Sequence, residues 1–455
     1  MQNGANSTTR AVFLMSVPIF VELLLQLLVG NIDQFMVSRV SQEAVAAIGN
    51  GNQVMNLTII VINVLCMASS ILVSREIGAK DGRSLAQICT VSVAFIGAVS
   101  LAVTLMLVFG SGLFFRLLRV PEDILGQAND YLMIVGAFAL VQGLYMVFAA
   151  VLRAYGFVRE VMLTAVIMNA LNIAGNAVLI SGLFGLPRLG IVGAAISTDI
   201  SKTVGLLLLF CIFRKKTGVR MRLSHLRPFP RRLLGRLVGI GLPTAGQELS
   251  YSLSQMVILS FINPLGPLVI ATKVYCSTLA NCAYVYSMAI AQATQIVIGY
   301  MVGAGRIERI ERRIFSTIGV SAAVSMSLTA VFFVFSDSIL GIFTQEPEIL
   351  ALGRQILFIE FFLELGRSFN ITMTRCLTSI GDVRVPVYIA LGGTWLVAVC
   401  LGYALGIGLG LGLAGIWIAM AADEIVRAAV YSLRLRMGAW RSRLYLSGAL
   451  DVEET

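Results

Sequence analysis

The stretch Pro18–Arg39, PIFVELLLQLLVGNIDQFMVSR, decides the class of fold, because it places a carboxylate, Asp33, inside a long apolar helix. Insertion scales assign about +2.5 to +3.5 kcal/mol to a charged aspartate at the centre of a membrane helix, so such a residue normally faces a partner, a cavity or an ion pathway. Glu22, Gln26 and Asp33 lie at helical spacing on one face. The stretch therefore predicts a cation-loading carboxylate in a transporter.

The composition of the chain is that of a polytopic membrane protein. Hydrophobic residues make up 58% and charged residues 13% of the chain, whereas about 25% of the residues in an average globular domain are charged. The 34 Lys and Arg residues cluster between long apolar runs, so we assign the net charge of +10 to membrane topology and not to nucleic-acid binding. The 7 cysteines have no paired or CxxC spacing, which implies neither disulfides nor a metal site.

Twelve apolar segments are long enough for spans of roughly 20 residues, and they predict an all-α polytopic membrane protein. The segments cover residues 12–37, 45–75, 86–113, 126–152, 162–184, 189–213, 236–262, 267–302, 314–336, 348–375, 384–406 and 410–436. The first is too long for a signal-peptide core, so we expect it to be retained. Basic residues such as Arg83, Arg153 and Arg306 follow even-numbered segments, which predicts that these end on the cytoplasmic side.

An internal repeat relates the two halves of the chain at an offset of 225 residues. Matched pairs include Pro18 and Pro243, Asn56 and Asn281, Gly156 and Gly381, Asp199 and Glu424, and Lys202 and Arg427. Because each half has six segments, both halves have the same orientation. Transporters built in this way bind substrate between the halves and alternate access by rocking them. The two prolines are positioned to bend the first and seventh helices.

The repeat predicts twelve transmembrane helices in two pseudo-symmetric six-helix lobes. We expect an N-lobe at residues 1–213, a basic cytoplasmic linker at 214–235, a C-lobe at 236–437 and a cytoplasmic tail at 438–455. The linker contains the only histidine, His225, which we expect to be solvated and to take no part in a proton relay.

Several stretches carry a resemblance to a known family. They are NIDQFMVSRVSQEAVAAIGNGNQ, SREIGAKD, LRAYGFVREVMLTA and GIVGAAIST in the first half, and GLPTAGQELSYSLSQ, ATKVYCSTLANCAYVYSMAIAQATQIVIGYMVGAG and LELGRSFNITMTRCLTSIGDVRVP in the second. In this order, the chain resembles the multidrug and toxic compound extrusion (MATE) family of the multidrug, oligosaccharidyl-lipid and polysaccharide exporter superfamily. The resemblance covers nearly the whole chain. It implies a twelve-helix, two-lobed exporter driven by the entry of sodium or protons.

The resemblance also implies a cation site in the first lobe. Its positions fall on Asp33, Tyr131, Asn172, Asn176, Ala194 and Thr198. Independently, Asn169, Asn172 and Asn176 share one face of the fifth segment as a stripe of amides. Family members with a described sodium site often carry Asp where this chain has Asn176, so only one carboxylate remains here. A lone carboxylate favours protons, and Na⁺ at the Asp33 site is the alternative.

The second half has its own polar residues. Glu360, Glu364 and Arg367 share one side of the tenth segment, and we expect Glu364 and Arg367 to form a structural ion pair. Proton coupling through either glutamate is the alternative. Glu248 is a candidate either for binding cationic substrate or for pairing with a neighbouring helix. Adaptable apolar and polar side chains predict further substrate contacts at Met55, Asn56, Tyr275, Asn281 and Met288.

These patterns predict a secondary active multidrug efflux transporter and not an enzyme. It would export amphipathic, often cationic organic compounds by antiport with H⁺ or Na⁺ through alternating access, without a further cofactor. We expect a monomer in the plasma (inner) membrane, with both termini cytoplasmic, whose partners are the lipid bilayer and small drug-like substrates and not nucleic acid.

Other function classes lack their motifs. No GxxxxGK[ST] loop is present for an ATP-driven pump, and no HExxH or GxSxG for an intramembrane enzyme. The nearer alternative is a flippase for lipid-linked or polysaccharide precursors, from the same superfamily. Such a protein would be expected to have a strongly basic cavity. The intramembrane charges here are mainly acidic, although Arg367 and Arg375 favour the flippase.

Overall fold

The computed structural model describes residues 9–38, 41–117, 120–182, 185, 188–438 and 440–441, and within these ranges it contains helices and no β-strand. The helices are α1 (Thr9–Ser38), α2 (Gln42–Ala79), α3 (Gly82–Leu117), α4 (Glu122–Ala137), α5 (Ala139–Ala154), α6 (Val158–Ser181), α7 (Gly190–Lys216), α8 (Arg231–Ile262), α9 (Pro267–Gly303), α10 (Ile310–Val334), α11 (Ser336–Leu340), α12 (Pro347–Ile380), α13 (Arg384–Gly392) and α14 (Gly412–Arg436). Eleven of the predicted apolar segments fall largely on one of these helices or on a consecutive pair. The remaining segment, 384–406, covers α13 and continues into two π-helical stretches, Gly393–Leu401 and Ala404–Gly408. The predicted all-α class is therefore confirmed.

Eight of the described helical stretches are long and apolar enough to cross a membrane, and α4 with α5, bent by 46° between them, makes a ninth candidate span. The other long helices, α8, α12 and α14, carry more charged or polar side chains. Those of α12 and α14 include residues that form ion pairs inside the fold. Paired charges lower the average apolarity of a helix without exposing a charge to lipid.

The internal repeat is visible in the backbone of the turns. Lys80 after α2 and Gly305 after α9 both have a left-handed backbone, with φ of 63° and 68°. Gly156 after α5 and Gly381 after α12 also match, with φ of 85° and 107°. Glycine adopts this region without steric cost, which makes it the usual residue at the end of a helix. Both pairs are separated by the repeat offset of 225 residues, so the two halves use equivalent turns.

The chain divides into two compact units. The first unit is residues 21–242, and the second unit is residues up to 20 together with those from 243 onwards. The division falls inside α1, two residues after Pro18, and inside α8, immediately before Pro243. Proline removes a backbone hydrogen bond within a helix. The chain therefore passes from one unit to the other beside each of these prolines. The predicted tail, 438–455, lies largely outside the described residues.

Each unit has its own apolar core. In the first unit, α2, α3, α4 and α7 contribute the buried residues Ala47, Val54, Leu107, Leu132 and Ala195. In the second unit, α8, α12 and α14 contribute Ile258, Leu357, Leu363, Ile416 and Trp417. Helices in lipid associate through close packing, because the bilayer itself is apolar and supplies no hydrophobic driving force between them.

The connection between α7 and α8 corrects one expectation. His225 is not simply solvated, because it lies in a 3₁₀ turn, Leu223–Leu226, that packs on α3. Its Nδ1 atom is 3.1 Å from Oγ1 of Thr90. The imidazole pairs with this hydroxyl because the turn folds the basic segment back against the helix. His225 therefore attaches the connection to the first unit.

Candidate functional site

The α1 carboxylate contacts α6 directly. Nδ2 of Asn176 donates to Oδ1 of Asp33 over 2.6 Å. Asn176 is fully buried, whereas Asp33 is half-buried and its helix neighbours Ile32 and Phe35 are exposed. A hydrogen bond to an ionised carboxylate is shorter and stronger than a neutral one. The structure thus brings together Asp33 and Asn176, two residues that the sequence assigned to one site.

The amide stripe lies on the buried side of α6. Asn169, Asn172 and Asn176 are 7%, 5% and 1% exposed, in the periodic arrangement that their spacing predicts. The Oδ1 atoms of Asn172 and Asn176 have no hydrogen-bond partner within the described ranges. An amide oxygen is an acceptor for a protonated carboxyl and also a ligand for a hard cation. The stripe therefore supplies oxygen atoms near Asp33 that suit either a protonated carboxyl group or a hard cation.

Helix α7 joins the stripe through a short chain of hydrogen bonds. Nδ2 of Asn172 donates to Oγ1 of Thr198 over 3.2 Å, and this hydroxyl donates to the carbonyl oxygen of Ala194 over 2.9 Å. The helices approach closely because Gly193 has no side chain, and a Cβ atom there would lie 2.7 Å from the carbonyl oxygen of Leu179. Small residues permit such contacts between membrane helices. Three predicted site residues are therefore linked.

Tyr131 of α4 has a different direct partner. Its hydroxyl donates to Oδ1 of Asn52 on α2 over 3.0 Å, and its ring fills the space beside Gly51. The side chain is buried, and it lies within electrostatic range of Asp33. Tyr131 therefore lies near the site but contacts α2. Asn52 is a neighbour that the sequence reasoning did not select.

Two charged residues of α7 belong to the same neighbourhood and were not predicted as site residues. Asp199 is 2% exposed, and neither carboxylate oxygen has a hydrogen-bond partner among the described residues. Lys202, one turn later, is half-buried and interacts electrostatically with both Asp199 and Asp33. The repeat pairs these residues with Glu424 and Arg427, and that pairing was the pattern that could have identified them.

A second acid of α1 forms an ion pair that was not predicted. Nη1 of Arg153 donates to both carboxylate oxygens of Glu22, over 2.7 Å and 2.9 Å. Arg153 was expected to follow its helix as a cytoplasmic marker, but it lies in the last turn of α5 with its side chain largely buried. It is therefore an interior partner for Glu22, because a buried carboxylate requires a compensating charge.

The second unit contains a larger set of buried charges. Nη1 of Arg367 lies 2.9 Å from both Oε1 of Glu360 and Oε2 of Glu364, so the predicted Glu364–Arg367 pair is extended by a second acid. Glu360 also accepts from Nε1 of Trp417 over 2.8 Å, and Glu364 from the hydroxyl of Ser287 over 3.3 Å. These hydrogen bonds give each carboxylate a partner besides the arginine.

A further ion-pair cluster lies on α14. Arg427 donates to both carboxylate oxygens of Asp423, and it lies 3.0 Å from Oε1 of Glu424. Asn370 of α12, on the same helix as Arg367, donates to both the side chain and the backbone carbonyl of Glu424. The polar residues of α12 and α14 are therefore held together by direct contacts.

The predicted substrate residues have different environments. In the first unit, Met55 is 3% exposed inside the apolar core, whereas the next residue, Asn56, is exposed. Met55 is thus a packing residue in this structure.

In the second unit, Glu248 on α8 and Asn281 on α9 are exposed. Tyr275 stacks on Phe343 with ring centroids 5.1 Å apart. The sulfur of Met288 lies 3.7 Å from Nη2 of Arg375, and Nη1 of the same arginine donates to Oε1 of Gln295 over 3.4 Å. The methionine therefore lies beside a positive charge.

Comparison with known proteins agrees with this architecture. The MatE family model matches residues 18–178 and 243–404, one match in each half of the repeat. Among curated proteins, the chain is 35% identical over 442 residues to the uncharacterized transporter YisQ of Bacillus subtilis, covering 96% of this chain and 95% of that protein. It is 26% identical over 436 residues to the probable multidrug resistance protein NorM of Thermotoga maritima, covering 95% and 93%.

Solved structures show the same fold. The chain is 22% identical to a multidrug resistance MATE family transporter of the MOP superfamily solved in an outward-facing conformation, with a TM-score of 0.87 and coverage of 95% of this chain and 96% of that one. The match extends over both units, so the two-lobed fold with twelve transmembrane helices is confirmed. With a repeated family match and buried charges inside membrane-spanning helices, the chain is a multi-pass membrane protein that belongs to the MatE family of transporters.

Proposed function

We propose that this protein exports amphipathic, often cationic organic compounds by antiport with protons that bind at Asp33. The observation that carries the proposal is the contact between Asp33, inside a membrane-spanning helix, and the buried amide stripe of α6. A charged carboxylate at this depth is costly and usually marks an ion pathway. Relatives named as probable multidrug resistance proteins support the class of substrate.

The chemistry of position 176 supports protons as the coupling ion. Asn176 presents an N–H group to Asp33, so a hydrogen-bond donor occupies one direction from which a cation would approach the carboxylate. Sodium prefers several oxygen ligands with negative charge among them, whereas a proton needs one acceptor atom. Sodium antiport is the alternative, and the two ions give opposite results in the experiment below.

A single coupling ion supplies enough free energy for useful export. One charge that enters down a potential of 100 mV releases about 2.3 kcal/mol, while tenfold accumulation of a substrate costs about 1.4 kcal/mol. The free energy from one proton per cycle is therefore sufficient for useful export of an uncharged substrate. A monovalent cationic substrate that leaves against the same potential cancels the electrical contribution, so its export depends on the pH gradient.

The test is efflux of a fluorescent cationic dye from proteoliposomes, first under a pH gradient and then under a sodium gradient at equal pH. We expect the wild type to respond to the pH gradient alone, and Asp33→Asn to fall to the level of protein-free vesicles. Asp123→Asn, an exposed acid at the start of α4, is the matched control and should transport like the wild type.

Other outcomes contradict the proposal in defined ways. Efflux driven by sodium alone would replace protons with sodium as the coupling ion. If a folded wild type moves no dye under either gradient, the flippase is favoured instead.

A further inference from the structure

The buried charges of α7 are incompletely paired. Asp199 has two buried carboxylate oxygens with no hydrogen-bond partner among the described residues. Lys202 is one turn away on the same helix and interacts electrostatically with Asp199 and with Asp33 of α1, but no direct ion pair joins it to either acid among the described residues. One ammonium therefore lies within electrostatic range of two carboxylates on different helices and is in direct contact with neither among the described residues.

The equivalent residues of the second unit form a cluster in which the base has direct ion pairs with both neighbouring acids. Arg427, the repeat partner of Lys202, is bonded through two nitrogens to Asp423 and is also paired with Glu424. The repeat places Thr198 where the second unit has Asp423. The Thr198 hydroxyl is engaged with Ala194 and Asn172 and supplies no negative charge.

The absence of an acid at position 198 makes the electrostatic role of Lys202 different from that of Arg427. Arg427 is neutralised by acids of its own helix, four and three residues earlier, and is held in a fixed ion-pair geometry. Lys202 has no acid four residues earlier, so its charge is neutralised less within α7. Its attraction to Asp33 of α1 is therefore offset less than that of a fully paired base would be. A lysine ammonium is a compact point charge on a flexible stem, so it can serve two separated carboxylates.

The same neighbourhood would otherwise suit a sodium ion. The Asp33 carboxylate, its partner Asn176 and the unpartnered Oδ1 atoms of Asn172 and Asn176 supply oxygen atoms of the kind that hard cations prefer. An ammonium in electrostatic range of Asp33 and Asp199 supplies the positive charge that such a set requires. A second cation would be repelled by it, because charges interact more strongly in the low-dielectric interior than in water.

We propose that Lys202 is a tethered counter-cation of the Asp33 site and that its charge excludes sodium from this site. The inference rests on the proposed function, in which Asp33 binds the coupling ion. It goes beyond that function because it assigns ion selectivity to a residue of α7 that is not itself an ion ligand. Lys202 acts through the two carboxylates and is therefore a positioning and selectivity residue.

The experiment compares the wild type with Lys202→Gln and Lys202→Arg in proteoliposomes that carry a sodium gradient at equal pH on both sides, with choline chloride balancing the ionic strength. We expect no sodium-driven dye efflux from the wild type or Lys202→Arg, and a gain of sodium-driven efflux in Lys202→Gln. Lys215→Gln, an exposed lysine near the end of the same helix, is the control and should behave like the wild type.

Sodium binding, measured by thermal stabilisation, tests the inference even if a variant folds but does not transport dye. Sodium bound to the folded state raises the melting temperature in proportion to the logarithm of its concentration above Kd. We expect this rise, in detergent and relative to choline, for Lys202→Gln and not for the wild type or Lys202→Arg. A wild type that is stabilised or driven by sodium overturns the inference, and so does a Lys202→Gln protein that shows no sodium response in either assay.

The inference and the proposed function fail in different ways. If the wild type exports dye under a pH gradient while Lys202→Gln ignores sodium, proton antiport stands and the role of Lys202 is wrong. If the wild type ignores the pH gradient but Lys202→Gln gains sodium-dependent stabilisation, the role of Lys202 stands and the coupling to protons is wrong.

Discussion

At the scale of single residues, the two acids of α1 have different hydrogen-bond and ion-pair partners. Glu22 has a complete ion pair with Arg153, whereas Asp33 has one hydrogen bond from Asn176 and a more distant ammonium. Both acids lie on the same helix face, eleven residues apart. A carboxylate that is fully ion-paired suits a fixed contact between two helices. A carboxylate with few direct partners suits the reversible binding of an ion. We therefore infer that Glu22 attaches α1 to α5 and that Asp33 exchanges the ion.

The attachment can be tested through stability. Arg153→Met leaves the carboxylate of Glu22 buried without a partner, and loss of one member of a buried pair costs about 3–5 kcal/mol. The double variant Glu22→Gln with Arg153→Met removes both charges and should recover most of this loss. Thermal unfolding of the purified variants in detergent measures both effects. Equal melting temperatures for the single and double variants would contradict an energetic role for the pair.

At the scale of helices, glycine decides where two backbones meet. A Cβ atom at Gly366 of α12 would lie 2.7 Å from the carbonyl carbon of Glu424 and 2.8 Å from the amide nitrogen of Ile425, both on α14. This contact lets Asn370, one turn further along α12, donate to the backbone oxygen of Glu424 over 2.7 Å. The crossing of α12 and α14 is thus built from close approach and hydrogen bonding together.

A single methyl group should separate these helices. We expect Gly366→Ala to lower the free energy of unfolding by about 1–3 kcal/mol, the usual cost of overpacking a filled interior. Gly319→Ala on α10 is the matched control, because no atom lies within 4 Å of its added Cβ. That change should raise stability by about 0.5–1 kcal/mol, since alanine is the better helix former. Melting curves of the two variants measured side by side decide the question, and a loss at Gly319 as large as that at Gly366 would refute the packing argument.

At the scale of the whole molecule, the two units share a repeat but treat their buried charges differently. In the second unit, Arg367 and Arg427 each make direct ion pairs with two acids. In the first unit, Asp199 and Lys202 occupy the positions equivalent to Glu424 and Arg427 without a direct pair among the described residues. We therefore expect ion coupling in the first unit and a structural role for the charges of the second.

Neutralising one acid of the second unit tests this division. In Glu364→Gln, Arg367 keeps its pair with Glu360, so the variant should retain the fold. We expect its dye efflux in proteoliposomes to depend on the pH gradient as in the wild type. Trp417→Phe, which removes the hydrogen bond to Glu360 and part of a buried ring, serves as a control for local disruption. A folded Glu364→Gln protein that no longer responds to the pH gradient would move coupling to the second unit.

Much of the architecture was predictable because it depends on patterns along the chain. Twelve apolar runs, the offset of 225 residues and the acid inside α1 are local or periodic features, and the helices and the equivalent turns follow from them. The amide stripe was predictable for the same reason, since helical spacing alone puts its asparagines on one face. The Asp33–Asn176 contact joins two helices, and only the resemblance to a known family placed both residues in one site.

The partners of the charged residues were not predictable in this way. Arg153 was expected at a helix end facing the cytoplasm, yet it lies beside Glu22, 131 positions earlier in the chain. Likewise, the sequence predicted the ion pair of Arg367 with Glu364 but not the hydrogen bond from Trp417 to Glu360, which spans 57 positions. Periodicity reports which residues share a face of one helix and is silent on which faces meet.

By itself, the sequence determined that this protein is a two-fold repeat of membrane helices with an acid, Asp33, inside its first apolar segment. Only the tertiary structure decided which buried charges are completed by a partner and which are left partly satisfied, and so directed attention to Lys202. The physical reason is that the cost of placing a helix in lipid is summed along one segment, whereas the pairing of a charge depends on the packing of several helices.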